Sequence, residues 1–191
     1  MSNTNAILRG RISYAHIFEP HAVEAGQDPK YSLSLIIPKD DEATIEKAKK
    51  AINAAVQEGI EKKWGGKKPS GLHLPLRDGD EDRPDDPAYA NSYFINCNAG
   101  EKYPPQVVLR YRDPATGKPV LGDEDTVYSG CICNVSINFY PFAVSGNKGV
   151  AAGLGNVQKW EDGERLGGGR KNAENEFDFD DMEETDLDDL L

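Results

Sequence analysis

A period of two governs the middle of the C-terminal half: Cys131, Cys133, Val135, Ile137 and Phe139 alternate with Ile132, Asn134, Ser136, Asn138, Tyr140 and Phe142. Successive side chains of an extended backbone point to opposite faces. The run from Thr126 to Phe142 therefore predicts a long strand with one apolar face and one face mostly of amides and hydroxyls. Parallel sheets are covered on both faces, so such a strand belongs to an antiparallel sheet with one face open to solvent or ligand.

The same alternation recurs upstream. Ile7 to Phe18 reads as a strand ended by Glu19-Pro20, with Leu8, Gly10, Ile12 and Tyr14 on one face and Arg9, Arg11 and Ser13 on the other. Tyr31 to Ile37 alternates again and stops at Pro38. A helix is predicted over 41–63, where Asp40 or Asp41 supplies the cap and Ile45, Ala48, Ile52, Val56 and Ile60 form one apolar stripe. Residues 65–90, rich in Gly, Pro and Asp, read as an extended excursion. Strand patterns resume at Ser92–Asn96 and Val107–Arg112, and glycine-rich 143–160 holds one or two short strands. With a single crossover helix, the pattern suits a small closed or partly open barrel better than a parallel βαβ sheet. The fold class is mainly β, a small antiparallel barrel with one inserted α-helix.

At 191 residues the chain is one domain with appendages, here 1–166 as the folded body and 167–191 as a Gly167-Gly168-Gly169 hinge and tail. No apolar run is long enough to span a bilayer. Met1 to Asn5 lacks the basic-then-apolar layout of a signal peptide. Three cysteines give no disulfide framework, so the expected setting is a reducing cytoplasm.

The formal charge of −11 is segregated. Residues 172–191 hold ten acids and no base, and Asp78 to Asp86 hold six acids and one base. The remainder is net positive by four. A near-neutral body with basic patches and an acidic loop thus carries an acidic tail.

Enzyme and metal signatures fail. Asp78-Gly79-Asp80 opens like a calcium loop, but Arg83 and Tyr89 stand where the loop needs Gly and Glu. Cys131 and Cys133 lie on the apolar face, where cysteine acts as a small hydrophobe, and no second cysteine pair or near H-x₃-H completes a zinc site. His16, His21 and His73 have no nucleophile nearby. No metal, cofactor or catalytic residue is expected.

What recurs instead is an aromatic ring beside bases and small polar groups. Arg9 and Arg11 flank Tyr14 and Phe18, Tyr93-Phe94 leads to Asn96 and Asn98, Arg110-Tyr111-Arg112 alternates base and ring, Tyr140 and Phe142 precede Lys148, and Trp64 lies in a lysine cluster. Single-stranded nucleic acid requires cations along its phosphates and flat rings under its unpaired bases. Arg9, Arg11, Arg110, Arg112 and Lys148 are the phosphate candidates and Tyr14, Phe94 and Tyr140 the stacking candidates. Asn134, Ser136 and Asn138 line the floor. In the tail, Phe177, Phe179, Asp186, Asp188, Asp189, Leu190 and Leu191 combine carboxylates with apolar residues. Too charged to fold alone, this tail is expected to be disordered, to compete with nucleic acid for the basic groove and to dock partner proteins. The alternative class is an acidic, chaperone-like or DNA-mimicking interaction module whose body binds no nucleic acid.

Taken in order, Gly10-Arg11-Ile12-Ser13-Tyr14, Tyr31 to Lys39, Leu76-Arg77-Asp78-Gly79-Asp80, Tyr128-Ser129-Gly130-Cys131, Asn134 to Tyr140, Gly146 to Val150 and the acidic end resemble the phage-encoded single-stranded DNA-binding proteins of OB-fold type. The resemblance spans nearly the whole chain. It implies an OB-fold-like barrel that coats unwound DNA in phage replication or recombination, inside a bacterial host, with low sequence preference. It also implies replication or recombination proteins as partners of the acidic tail; self-association is left open.

Overall fold

The alternating run forms β7 (Ile132–Val144), in the computed structural model that describes residues 3–166. Its odd-numbered residues face inward as the periodicity requires: Cys133, Val135, Ile137 and Phe139 are buried, while Asn138 and Tyr140 are exposed. Thr126 to Cys131 do not extend the strand. The Asp123 carboxylate accepts from the backbone N–H groups of Asp125 and Thr126, which tightens that segment into a turn.

β7 turns through Ser145 and Gly146 into β8 (Asn147–Glu161). Both turn residues have positive φ, 51° and 82°, the conformation of a two-residue hairpin whose twist matches its strands. The glycine-rich segment is therefore one 15-residue strand rather than one or two short ones. Its glycines lower strand propensity but admit close neighbours. At Gly153 the chain bridges across to Asn98, and the Tyr140 ring passes 3.6 Å from where a Cβ would stand.

The remaining strands are β1 (Asn5–His21), β2 (Lys30–Pro38), β3 (Leu76–Asp78), β4 (Ser92–Gly100), β5 (Val107–Arg112) and β6 (Pro119–Leu121). They join β7 and β8 in the order β3-β4-β2-β1-β7-β8-β5-β6, and the Asn98–Gly153 bridge between β4 and β8 closes the ring. The result is a closed five-strand barrel of β1, β2, β4, β8 and β7, an OB-fold, with the β5–β6 hairpin and β3 added at its margins. Leu8, Ile12, Leu35, Ile95, Cys97, Val135 and Val157 fill its interior.

Two departures from the predicted pattern matter below. β1 runs through Glu19-Pro20 to His21, and its pairing with β2 shifts register between Ser13 and His16. Tyr14 sits in that bulge with φ 47°, so the parity reverses: Ser13 is buried and Tyr14 turns out to 55% exposure. The segment 65–90 is only partly extended. It carries β3, a one-turn helix α2 (Gly79–Asp82) and a 3₁₀ turn at Pro87–Tyr89, and lays Tyr89 against the outside of the barrel wall. Lys39 pins it through the Asp78 and Asp80 carboxylates at 2.9 and 2.8 Å.

Between β2 and β3 lies α1 (Glu42–Lys62). Asp41 caps it, its carboxylate accepting from Thr44 N–H at 3.2 Å. Ile45, Ala48, Ile52 and Val56 are buried, together with Ala51, Ala55 and Gly59, against β7 and β1. Trp64 closes the end. Its ring lies where a Gly59 side chain would be, and its indole N–H donates to Phe142 O at 3.1 Å. The ring belongs to the core and not to a lysine-flanked surface. Among the described residues no helix is long and apolar enough to cross a membrane.

Candidate nucleic-acid interface

The outer face of β1, β7, β8 and β5 is built in rows fixed by strand register. One row pairs Arg9 with Asn134 and Asn134 with Gln158, which in turn pairs with Val108. Its polar groups are linked: Arg9 Nε donates to Asn134 Oδ1 at 2.8 Å and Asn134 Nδ2 donates to Gln158 Oε1 at 2.9 Å. Two residues along β8 stands Trp160, with the guanidinium carbon of Arg9 4.0 Å and that of Arg110 4.5 Å from its ring centre. Arg110 also donates from Nη1 to the Trp160 carbonyl at 3.0 Å.

In the other direction Ile7 pairs with Ser136, Asn5 with Asn138, and Tyr140 with Ala151. Ser136 accepts from Asn156 N–H at 2.7 Å, and Asn138 donates to the Asn5 side chain. Beside these rows α1 forms the wall of a groove of about 1030 Å³, lined by Asn5, Ile7, Ser136, Asn138, Lys47 and Lys50 among others, with no carboxylate. Lys47 reaches from the helix to Ile7 O at 3.0 Å. Ile7 itself is 61% exposed, an apolar step in a cationic setting. Behind the face, Cys131 and Cys133 are buried with their sulfurs 3.5 Å apart. The contact with Cys133 lowers the Cys131 pKa from its ordinary value, while the same contact and burial push Cys133 up.

Of the residues selected from sequence, Arg9, Arg110, Asn134, Ser136, Asn138 and Tyr140 share this face, Tyr140 being 47% exposed. Arg112 lies farther along β5, its Nη1 on Gly117 O at 2.9 Å in the hairpin turn. Four others are placed differently. Arg11 spends its Nε on Gly130 O at 3.1 Å and its Nη2 on Glu164 O at 2.6 Å, tying down the C-terminal end of the barrel instead of meeting solvent freely. Tyr14, in the β1 bulge, stands beside Arg83, whose guanidinium carbon is 5.2 Å from its ring centre, and faces the segment that carries Asp82, Asp85 and Asp86. Lys148 pairs with Ala143 near the hairpin tip and by alternation lies on the opposite face from Tyr140. Phe94 is not a stacking platform. It is fully buried, packed edge-on against Tyr89 with ring centres 5.1 Å apart, because the 65–90 segment and Leu166 cover that part of the wall. The tail residues Phe177, Phe179, Asp186, Asp188, Asp189, Leu190 and Leu191 lie outside the described residues.

Sequence reasoning missed Trp160, Gln158, Ile7, Lys47 and Lys50. The alternation Asn156-Gln158-Trp160 carried the signal for β8, but the neighbouring glycines obscured it. Lys47 and Lys50 read as ordinary solvent-facing positions of a helix, and only tertiary packing brings them beside β1 and β7.

The family described as "Enterobacter phage Enc34, ssDNA-binding protein" matches residues 4–191. A protein of Acyrthosiphon pisum secondary endosymbiont phage 1, p50, is 32% identical over 177 residues, covering 88% of this chain and 89% of its own length. The single-stranded DNA-binding protein of bacteriophage Enc34, solved in complex with ssDNA, superposes with a TM-score of 0.69 at 27% identity over 85% of this chain and 88% of that one. The fold also matches gp2.5, a single-stranded DNA-binding protein of bacteriophage T7, with a TM-score of 0.53 at 17% identity over 95% of this chain and 100% of that one.

Proposed function

This chain belongs to the family of the Enterobacter phage Enc34 ssDNA-binding protein, and from that membership we propose that it binds single-stranded DNA, without catalysis, along the outer face of β1, β7, β8 and β5. The observation that carries the reading is the linked row Arg9–Asn134–Gln158 with Trp160 and Arg110 beside it, continuous with Ser136, Asn138 and Tyr140 and with a groove free of carboxylates. Phosphates run along Arg9, Arg110, Arg112, Lys47 and Lys50. Bases stack on Tyr140, and the small amides and hydroxyls leave room for any base, so sequence preference is low. Tyr14, among carboxylates, is off this path.

The protein works in phage replication or recombination in the cytoplasm of the bacterial host. Its acidic tail competes with DNA for the cationic face and docks replication or recombination proteins. Fluorescence polarisation with a labelled oligo-dT tests both statements. With five phosphate contacts, log Kobs falls with log salt at a slope of about −3.5. Deleting residues 172–191 tightens binding at about 50 mM salt, and the two proteins converge at about 200 mM, where screening weakens both competitors. A tail-less body that bound no oligonucleotide would instead make the chain an acidic interaction module.

A further inference from the structure

We propose that Trp160 is the positioning residue of an arginine clamp for the phosphodiester backbone, and not itself a base platform; the inference rests on the single-stranded DNA reading above. Arg9 approaches the ring from β1 and Arg110 from β5, strands on opposite sides of β8 in the sheet, at 4.0 and 4.5 Å from the ring centre. The negative faces of an aromatic ring attract cations, so the indole offsets the repulsion between two guanidiniums held at most about 8.5 Å apart. Each is also held by one hydrogen bond, Arg9 through Asn134 and Arg110 through the Trp160 carbonyl. A guanidinium has five N–H donors, so most remain free.

Neither arginine has a carboxylate partner among the described residues, where every salt bridge is made by Lys39, Lys62, Arg77 or Lys159. Two cations held against one ring, without a carboxylate partner among the described residues, form a site that a phosphate completes. A base stacking on the indole would compete with two guanidiniums whose carbons already lie 4.0 and 4.5 Å from the ring centre, displacing the one on the face it took. Phosphate oxygens need no such displacement: they meet N–H edges already aimed by the ring.

The test titrates full-length protein, Trp160→Ala and Trp160→Tyr with a labelled oligo-dT and with an oligonucleotide of the same length made of abasic sites. Trp160→Ala is expected to weaken binding on the order of tenfold, equally for both oligonucleotides, and to flatten the salt slope by about 1.4, the share of two contacts. Trp160→Tyr keeps a ring under the arginines and restores most of the affinity and slope, which a purely structural defect would not predict. A loss confined to the base-bearing oligonucleotide would overturn the clamp in favour of stacking, as would an unchanged salt slope. Wild-type protein that bound neither oligonucleotide would overturn the parent reading and the clamp with it.

Discussion

Arg9 on β1 stands directly opposite Asn134 on β7 and donates from Nε to its side-chain oxygen at 2.8 Å. An amide in this place orients the guanidinium without neutralising it, so the cation stays available to an anion. Asn134→Asp replaces that acceptor with a carboxylate, which pairs with Arg9 and repels phosphate. The expected result is an affinity for oligo-dT reduced about tenfold at about 50 mM salt. Exposed ion pairs contribute little to folding, so the thermal midpoint should hardly move. Undiminished binding would remove Arg9 from the phosphate path.

Tyr140 and Phe94 differ in burial, and so in what their loss should cost. Tyr140 is half-exposed on the outer face, and Phe94 is sealed against Tyr89, Ile36 and Leu166. Tyr140→Ala should cost about 1–3 kcal/mol of oligonucleotide binding and little stability. Phe94→Ala should cost about 3–5 kcal/mol of folding stability, while the folded fraction retains its affinity. Paired urea unfolding and polarisation titrations check both, and the opposite partition would reverse the two assignments.

The contrast between these rings shows what the sequence could reveal. Alternation identified the inner face of β7 residue by residue, since a period of two depends only on local backbone geometry. It also placed Asn134, Ser136, Asn138 and Tyr140 together. Phe94 shares its parity with Asn96 and Asn98 and so resembled an outward ring, but a distant segment folds over it, and no local period encodes that cover. At Tyr14 a single inserted residue reversed the parity in the middle of a strand. Trp160 gained its meaning only when Arg9 and Arg110, separated from it by 151 and 50 positions in the chain, converged on its ring.

Lys47 and Lys50 extend the cationic path from the sheet onto α1. Both sit on the exposed side of a helix whose buried stripe is elsewhere, so their substitution leaves the packing intact. Lys47→Glu with Lys50→Glu should weaken oligo-dT binding more than tenfold at about 50 mM salt, and the difference should shrink as salt is raised. Circular dichroism should show the helix retained. If affinity were unaffected at low salt, the strand would follow the sheet alone and leave the groove beside α1 empty.

His16 stacks on His21 with ring centres 4.2 Å apart and planes 9° from parallel. Burial, and secondarily the charge of His21, hold the His16 pKa below its ordinary 6.5. Between that lowered value and 6.5 the unfolded chain binds more protons than the folded one, so stability falls as the pH drops through this window. Asp80, Asp123 and Asp162, held below the ordinary 3.8 by hydrogen bonds from Lys39, Thr126 and Lys159 respectively, contribute stability that is lost only at lower pH. The urea midpoint of the wild type is therefore expected to decline from about pH 7.5 to about pH 5.5, and His16→Phe, which keeps a flat ring against His21 but cannot titrate, should decline less. An identical decline in the two proteins would assign the proton uptake to a group other than His16.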